Sequence, residues 1–299
     1  RRLAMFPTYF DEEGLMYTNT SYGDYPLFSP AHPTKAGQHN GWMLLSYKGK
    51  ATVSSSQMQV RKSTSTDGDY DITDMPLEKN REGEIISKVL TDESPKSFWV
   101  AEANDDQQWI EIEMPAPGNI YAFQLNFHDQ DAGIYTRTEG LRHRFILEVS
   151  EDGKNWKTVV DRSNSFEDAP NAYLPLNQPV KAQYVRYNNI EVPGNNLALS
   201  EIRVFGKGFG KKPAKVKGFE VSRRDDRRDA AFQWQPVKGA QGYNIRWGIA
   251  PDKLYQSWLI YDENEHFMRN LDRDTKYYFS IEAFNENGIS ERTEVLEVK

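Results

Sequence analysis

Residues 109–114 read Trp109-Ile110-Glu111-Ile112-Glu113-Met114, and from Ile110 onward apolar and acidic side chains alternate. Successive side chains of an extended chain point to opposite faces, so this alternation predicts a β-strand with one buried and one wet face. Further runs rich in branched and aromatic residues follow at intervals punctuated by turn residues. These runs are 120–127, 144–149, 184–187 and 202–205. The pattern predicts an antiparallel β-sandwich within residues 42–207.

The composition is that of a β-rich globular protein with more than one domain. At 299 residues the chain exceeds one ordinary sandwich, and its 16 Tyr, 15 Phe and 7 Trp favour strands and carbohydrate-facing surfaces. The net charge of −7 provides no positive field for phosphate backbones, which excludes nucleic acid as a partner. No apolar run is long enough to span a membrane. With no cysteine, the sequence also excludes disulfides and thiolate metal sites.

The first 41 residues have no core of their own. Strands at 3–6 and 15–17 around a tight turn at Asp11-Glu12-Glu13-Gly14 predict a hairpin. A lone hairpin is marginally stable in water, so it must pack on the next domain or on strands further upstream. Residues 22–38 are proline-rich and predict a connector. Because the first residues lack an initiator Met and a signal-peptide core, we expect the chain to belong to a longer exported protein.

Two further segments divide the rest of the chain. Residues 63–84 are polar and rich in Asp and Gly, which predicts a long surface loop. Residues 206–213 form a Gly/Lys/Pro linker, and strand-like runs restart after it at 230–234, 242–247 and 276–281. The predicted domains are therefore 1–41, 42–207 and 213–299.

The middle domain resembles the discoidin, or factor 5/8 C-type, family, which includes the family 32 carbohydrate-binding modules. The stretch 89–99, Val-Leu-Thr-Asp-Glu-Ser-Pro-Lys-Ser-Phe-Trp, is similar to the family's Ala-x-Asp-Gly-Asp-x-x-Thr-x-Trp motif. Four further matches follow in the family's order, at 109–112, 147–156, 182–187 and 199–206. The resemblance implies a jelly-roll β-sandwich of the galactose-binding type.

The last domain resembles fibronectin type III domains. Trp234 lies on an early strand, Gly242-Tyr243 opens the next, and residues 271–277 resemble the family's Leu…Thr-x-Tyr corner. The resemblance implies an immunoglobulin-like sandwich in which the Tyr277 hydroxyl bonds to local backbone.

The first 41 residues and the domain order resemble the C-terminal region of glycoside hydrolase family 43 proteins. In that family a five-bladed β-propeller precedes such accessory modules, so residues 1–25 would be a hairpin stub from the last blade. The resemblance implies a parent that acts on plant-type polysaccharide of the xylan or arabinan class. It supplies no catalytic residue here, because the family's carboxylates lie on upstream blades.

The discoidin resemblance implies a structural calcium held by Asp92, Ser94, Ser97 and Glu201. Oxygen ligands from separate loops suit a hard cation. Glu93 and Ser94 stand where the family has Gly and a second Asp, and Ser97 replaces Thr, so one carboxylate is lost and weaker affinity is expected. The alternative is a turn in which Asp92 accepts backbone amides and Glu201 is solvated.

A sugar site needs an aromatic ring to stack on a pyranose and polar side chains to bond its hydroxyls. The loop 128–137 has this mixture, and the later loop at 195–196 could converge with it at one end of the sandwich. The candidate sugar-binding residues are His128, Asp129, Tyr135, Arg137, Asn195 and Asn196. Phe166 and Tyr173 are spare aromatics. The alternatives are an ordinary polar loop or a surface docked on the upstream propeller.

Other notable residues have simpler interpretations. Residues Asp67-Gly68-Asp69-Tyr70-Asp71 lack the EF-hand spacing and predict a solvated turn, and the charge run 223–228 predicts a hairpin loop with local ion pairs. Trp99, Trp109 and Trp156 are assigned to packing, whereas Trp247 and Trp258 would form a contact patch if exposed and core if buried. No paired-carboxylate spacing, Gly-x-Ser-x-Gly, His-Glu-x-x-His or phosphate loop marks an active site.

The function expected from the sequence is that of a non-catalytic accessory region of a secreted, periplasmic or cell-surface bacterial glycoside hydrolase. Its expected partners are a glycan and the catalytic propeller of the same protein. The first alternative is an adhesion module that recognises a protein or cell surface through a large apolar patch. A second alternative is a complete small enzyme.

Overall fold

The computed structural model describes residues 8–18, 22, 39–57, 59–63, 72–76, 82–94, 97–128, 140–269 and 271–299. These residues fall into two compact units. The first lies within 44–206, and the second combines 207–299 with the described residues of 8–43. No helix among the described residues is long and apolar enough to cross a membrane.

Among its described residues, the first unit contains a ten-stranded, largely antiparallel sheet and one α-helix. Its strands follow the order β10-β9-β11-β8-β12-β7-β5-β6, with β3 beside β12 and β4 beside β8. The elements are β3 (Met43–Leu44), β4 (Lys50–Val53), β5 (Gln59–Ser63), β6 (Ile72–Pro76), α1 (Glu82–Thr91), β7 (Ser97–Val100), β8 (Trp109–Phe127), β9 (Arg144–Ser150), β10 (Lys157–Asp161), β11 (Asn171–Glu191) and β12 (Ala198–Gly208).

The two longest strands, β8 and β11, fold the sheet onto its own core. They pair along most of their length, with register shifts between Pro175 and Val180 and between Ala182 and Tyr184. Such shifts bend and twist a strand pair, which lets a single sheet wrap into a jelly-roll. The enclosed core holds aliphatic and aromatic side chains from β8, β9, β11 and β12. The predicted all-β jelly-roll is confirmed.

The alternation that predicted β8 is also the pattern of its burial. Ile110, Ile112 and Met114 are fully buried, whereas Glu111 and Glu113 are half-buried on the other face. Burying each apolar side chain contributes roughly 1.5–3 kcal/mol relative to leaving it exposed. The wet face keeps its carboxylates in contact with water, so the local sequence fixes which face of the strand meets the core.

The prediction of a long surface loop at 63–84 is wrong for those residues of this range that the structure describes. Residues 72–76 form β6, which pairs with β5, and residues 82–91 form α1. The helix buries Ile86, Val89 and Leu90, whose i, i+3, i+4 spacing places them on one face. The sequence did not predict α1, because a ten-residue helix contains only about one repeat of that spacing.

The second unit contains an immunoglobulin-like sandwich of two sheets. One sheet has the order β13-β14-β17, and the other has β16-β15-β18-β19 with β20 beside β18. Its core includes Phe232, Trp234, Ile245, Phe279 and Ile281. The strands are β13 (Glu220–Arg223), β14 (Ala230–Gln233), β15 (Gly242–Gly248), β16 (Gln256–Tyr261), β17 (Glu265–Met268), β18 (Tyr277–Asn285), β19 (Gly288–Ile289) and β20 (Leu296–Val298).

The tyrosine corner of this sandwich is confirmed. The backbone amide of Asp272 donates to the Tyr277 hydroxyl at 2.9 Å, as the local motif predicted. The charge run also lies where it was expected, in the loop between β13 and β14, where Arg228 and Asp226 form an exposed ion pair at 2.7 Å. Exposed pairs of this kind contribute little to stability.

The N-terminal hairpin lies in the second unit. It consists of β1 (Thr8–Phe10) and β2 (Met16–Thr18), later than the strands expected at 3–6 and 15–17, and residues 1–7 are outside the described residues. Lys253 bonds both Asp11 and Glu13, at 3.0 and 2.8 Å. The Tyr255 ring stacks on Tyr17 at 4.1 Å. The hairpin therefore packs on the sandwich of its own unit, as a hairpin without a core requires.

Candidate functional site

Three chain segments meet at one end of the jelly-roll, which we call the loop end. The backbone amide of His128, just after β8, donates to the carbonyl of Ala198 at 3.0 Å. The amide of Ala101 donates to the carbonyl of Leu197 at 2.9 Å. These two bonds join the end of β8, the loop after β7 and the start of β12.

A buried polar network holds the loop before β12 in place. The Gln108 side-chain oxygen accepts the Leu197 amide and the Asn189 side-chain amide, both at 3.0 Å. The Tyr187 hydroxyl donates to Asn189 at 3.0 Å, and the low dielectric around Tyr187 keeps its pKa well above its ordinary value. Because each bond satisfies a buried group, the network fixes the loop rigidly.

Asn196 lies in that loop, directly before Leu197. Its side chain is 9% exposed, and its Oδ1 is buried without a hydrogen-bond partner among the described residues. An unsatisfied buried acceptor requires an explanation, and a ligand donor is one. The neighbouring Asn195 ends a short turn at Pro193–Asn195, and its side chain is outside the described part of the structure.

His128 is fixed against the same end. Its ring stacks on Phe98 of β7 with centroids 3.5 Å apart and planes 14° apart. The side chain is half-buried, and one face of its ring lies against Phe98. The backbone bond to Ala198 places His128 next to the loop that carries Asn196. The other candidates, Asp129, Tyr135 and Arg137, lie outside the described residues.

The structure adds Arg142 to the loop end and gives the spare aromatic Phe166 a definite place there. Phe166 is 78% exposed, and the Arg142 guanidinium lies 4.9 Å from its ring centroid. The adjacent His143 amide donates to the Glu167 carbonyl, and the His143 ring lies 4.5 Å from Phe127, the residue before His128. Arg142 lies a few residues after the predicted loop 128–137, and this was its only signal in the sequence.

Three of the four metal candidates, Asp92, Ser94 and Ser97, lie in the segment between α1 and the start of β7. The Asp92 carboxylate accepts the Ser94 amide at 2.8 Å and the Ser97 hydroxyl at 3.5 Å. Burial raises the pKa of Asp92 to about 6, opposed by the Ser94 amide, the positive charge of Lys88 and the Ser97 hydroxyl. A bound cation would offset the remaining cost of burying the carboxylate charge.

Glu201 is the fourth metal candidate. It is fully buried, and the Asn126 side-chain amide donates to its Oε2 at 2.8 Å. In the pairing of β12 with β7, Ala198 faces Val100 and Leu199 faces Trp99. The expectation of a solvated Glu201 is wrong, whereas Asp92 does accept a backbone amide as the turn alternative expected. No group of three Asp, Glu or His suited to a metal occurs in the described ranges.

Glu93 stands where the family motif has Gly, and the structure accounts for this departure. Its φ is 63°, a left-handed conformation in which Gly carries no steric penalty. Its carboxylate forms two bonds with the buried Arg203, at 2.8 and 2.6 Å. Arg203 also donates to Gln124 at 2.7 Å. The ion pair therefore compensates for the strained backbone and ties the end of α1 to β12.

The tryptophans differ in their exposure. Trp99 is 2% exposed and presents no ring face to a sugar, whereas Trp156 is half-buried, with the Arg186 guanidinium 3.8 Å from its ring centroid. Trp247 is half-buried beside the Tyr277 ring, whereas Trp258 is 50% exposed. The two therefore do not form an exposed pair. Residues 67–71 are outside the described residues.

A comparison with protein-family models matches both units. The F5/8 type C domain model matches residues 50–202, slightly more than half of the chain. The chain belongs to the F5/8 type C domain family. The fibronectin type III domain model matches residues 214–299, within the second unit. No curated protein matches the sequence.

Solved structures similar to the F5/8 type C unit include three bacterial modules. The module CpGH89CBM32-5 from Clostridium perfringens, in complex with GalNAc-β-1,3-galactose, is 20% identical over 55% of this chain and 100% of its own, with a TM-score of 0.38. The family 32 module from C. perfringens NanJ, in complex with galactose, is 11% identical over 55% and 98%, with a TM-score of 0.39. Chitosan-binding module 1 from a Paenibacillus chitosanase/glucanase is 19% identical over 55% and 99%, with a TM-score of 0.37.

Proposed function

We propose that the chain is a non-catalytic carbohydrate-binding region that holds a glycan at the loop end of its F5/8 type C unit. The observation that carries the proposal is the exposed ring of Phe166, with Arg142 against it, at the same end as His128 and Asn196. An aromatic face and nearby hydrogen-bonding groups are what a pyranose requires.

Each of these side chains supports one part of sugar recognition. Phe166 offers an apolar face for the C–H side of a sugar ring, and the Arg142 guanidinium offers several donors for hydroxyl oxygens. The Asn196 Oδ1 is an unused acceptor for a hydroxyl donor. The buried network around Gln108 keeps the loop from rearranging, which lowers the entropy cost of binding.

Isothermal titration of the whole chain tests the proposal. We expect heat on titration with at least one member of a panel of galactose-, GalNAc-, xylan- and arabinan-derived oligosaccharides. Phe166→Ala should weaken that binding at least tenfold, because it removes the stacking surface. The matched control is Phe10→Ala, which removes another exposed Phe, 70% exposed, on the N-terminal hairpin. Flat traces for every sugar, or binding that Phe166→Ala leaves unchanged, would contradict the proposal.

We also propose a structural calcium in this unit, held by Asp92, Ser94, Ser97 and Glu201. The cost of burying the Asp92 carboxylate, which raises its pKa, and the burial of Glu201 support it. Calcium prefers oxygen ligands, and a cation here would join the segment after α1 to β12. The ion would stabilise the fold and take no part in chemistry.

The proposed setting is a secreted or cell-surface bacterial glycoside hydrolase of the family 43 type that degrades xylan- or arabinan-class polysaccharide. What supports it is the sequence resemblance of residues 1–41 and the order of the domains. Sequencing the natural gene upstream of the Arg1 codon tests it. Repeated propeller blades with acidic residues in the upstream sequence would support this setting. Any other kind of upstream domain would contradict it.

The adhesion alternative would need a large apolar patch. Among the exposed large apolar side chains in the described parts of the chain, Phe10, Leu15 and Met16 lie on the N-terminal hairpin, where Phe10 is the cross-strand partner of Met16. Others lie on different elements, such as Ile190 on β11 and Trp258 on β16. No observation favours this alternative over glycan binding.

A further inference from the structure

A pocket of about 480 Å³ opens on the second unit, within the fibronectin-type sandwich and its hairpin. Tyr17 of β2, Arg246 of β15, Tyr255 before β16, and Arg292 and Val295 before β20 contribute to its lining. This volume is in the range of small-ligand sites. All of its lining residues belong to the second unit, so it is separate from the loop end of the F5/8 type C unit.

Two arginines at the pocket share one carboxylate. Arg246 donates its Nε to Glu282 Oε1 at 3.0 Å, and the Arg292 Nε lies 3.7 Å from Oε2. Glu282 is 5% exposed on its side chain and also accepts the Asn244 side chain and the Tyr22 hydroxyl, both at 3.0 Å, so it is held in place.

The terminal nitrogens of both arginines remain available. Within the described residues, the Arg246 guanidinium has no hydrogen bond beyond that to Glu282, and the Arg292 guanidinium has none, only its ion pair with Glu282. Two cations beside one carboxylate leave a positive surplus at this wall, partly balanced by Asp252, which also lines the pocket. Guanidinium groups bind planar carboxylates through paired N–H donors, so the wall suits an anionic group of that shape.

Ser280 provides a second, independent sign of a ligand. It lies on β18, lines the pocket and is 1% exposed, and its hydroxyl has no hydrogen-bond partner among the described residues. Buried hydroxyls in folded proteins nearly always have a partner, so this one requires an explanation. A polar ligand that displaces water from the pocket would provide it.

One wall of the pocket is aromatic. Tyr17 and Tyr255 stack at 4.1 Å with an angle of 13° between their planes, and Leu254 adds an apolar side chain to the lining. The Tyr255 hydroxyl donates to Asp11 Oδ2 at 3.0 Å, which fixes the ring. A fixed aromatic wall in the same pocket as charged and hydroxyl groups matches a sugar ring that carries an acid group.

We propose that this pocket binds a carboxylate-bearing sugar, such as a uronic acid residue of an acidic oligosaccharide. The carboxylate contacts Arg246 and Arg292, a ring hydroxyl contacts Ser280, and the C–H face of the sugar lies against the tyrosine wall. The site does not depend on glycan binding at the loop end, because it uses a different unit and different side chains.

Titration calorimetry on the whole chain tests the proposal with three probes: digalacturonate, a neutral galactose disaccharide and inorganic phosphate. We expect digalacturonate to bind at least tenfold more tightly than either of the others, and added salt to weaken it. Arg292→Gln should weaken digalacturonate binding at least tenfold. Arg292→Lys should retain only part of the digalacturonate affinity, because lysine keeps the positive charge but lacks the paired N–H donors of the planar guanidinium.

Arg228→Gln is the matched control, since Arg228 is an exposed arginine of the same unit outside the pocket lining. It should leave binding unchanged, as should Phe166→Ala at the loop end. Equal binding of the neutral disaccharide or of phosphate would overturn the proposed ligand class. Binding of digalacturonate that survives Arg292→Gln, or that Phe166→Ala abolishes, would overturn the site.

Discussion

At the scale of single residues, Glu93 links a backbone conformation to a buried charge. A side chain at φ 63° is strained, and Arg203 on the facing strand is 1% exposed on its side chain. Buried Arg requires a carboxylate partner, because an unpaired charge at low dielectric is costly. The backbone of Glu93 is therefore strained at a position suited to Gly, and the pairing of its carboxylate with the buried Arg203 charge offsets that strain.

Glu93→Gly separates the two effects. Relief of strain should stabilise by about 1 kcal/mol, but loss of a buried partner costs roughly 3–5 kcal/mol, so we expect a net loss of about 2–4 kcal/mol. Urea unfolding measures it. The control is Lys48→Gly, since Lys48 also has a positive φ, of 58°, but an exposed side chain. An unchanged or increased free energy of unfolding for Glu93→Gly would contradict this account of the ion pair.

At the scale of elements, a half-buried histidine, His39, lies in the segment 39–43 of the second unit. The His39 ring lies 4.7 Å from the Tyr22 ring, and its Nδ1 accepts the Gly41 amide at 2.9 Å. Its Nε2 is buried without a partner in the part of the chain that the structure describes. Burial lowers the pKa of His39 to about 4, the attraction of Glu282 opposing this and Arg246 and Lys207 adding to it.

This shift predicts how stability depends on pH. Between pH 6.5 and 4 the unfolded chain binds the His39 proton and the folded chain does not, so acid favours unfolding. The contribution is fully present above pH 6.5 and is lost as the pH falls to about 4, a change of about 3 kcal/mol. His39→Gln keeps an acceptor for Gly41 but does not titrate, and chemical unfolding from pH 4 to 8 compares the two proteins. A parallel pH dependence for both would contradict the assignment.

At the scale of the whole molecule, the two units have separate cores. One core lies within residues 45–204 and the other within 216–298. The proposed calcium ligands all belong to the first unit, whereas His39 and the acidic-sugar pocket belong to the second. We therefore expect ligands and substitutions to act on one unit at a time.

Calcium removal tests this independence. At a hundredfold excess over its Kd, a bound ion adds about 2.7 kcal/mol to the unit that holds it. We expect a chelator to speed amide hydrogen exchange in β7 and β12 and to leave β15 and β18 unchanged. Asp92→Asn should remove the chelator effect, and Asp106→Asn, an exposed carboxyl of the same unit, should not. If the amide exchange rates of β7 and β12 changed with neither chelator nor calcium, the proposal of a bound calcium would be contradicted.

Prediction from sequence succeeded where one element carries its own signal. The alternation at 110–114 identified the buried face of β8, and the motif at 271–277 identified the bond between Tyr277 and Asp272. It failed for α1 and β6, which are short and lie in a polar region. For the candidate site, the sequence indicated polar loops but gave no sign that Arg142 would pack on Phe166.

The sequence by itself determined that the chain is all-β, that it has two sandwiches, and which face of β8 is buried. Local periodicity carries that information, because side-chain direction alternates along any strand. Only the tertiary structure decided that Glu93 meets Arg203, 110 residues away, and that Tyr17, Arg246 and Arg292 line one pocket. Contacts between distant residues depend on strand order and register, which no local pattern encodes.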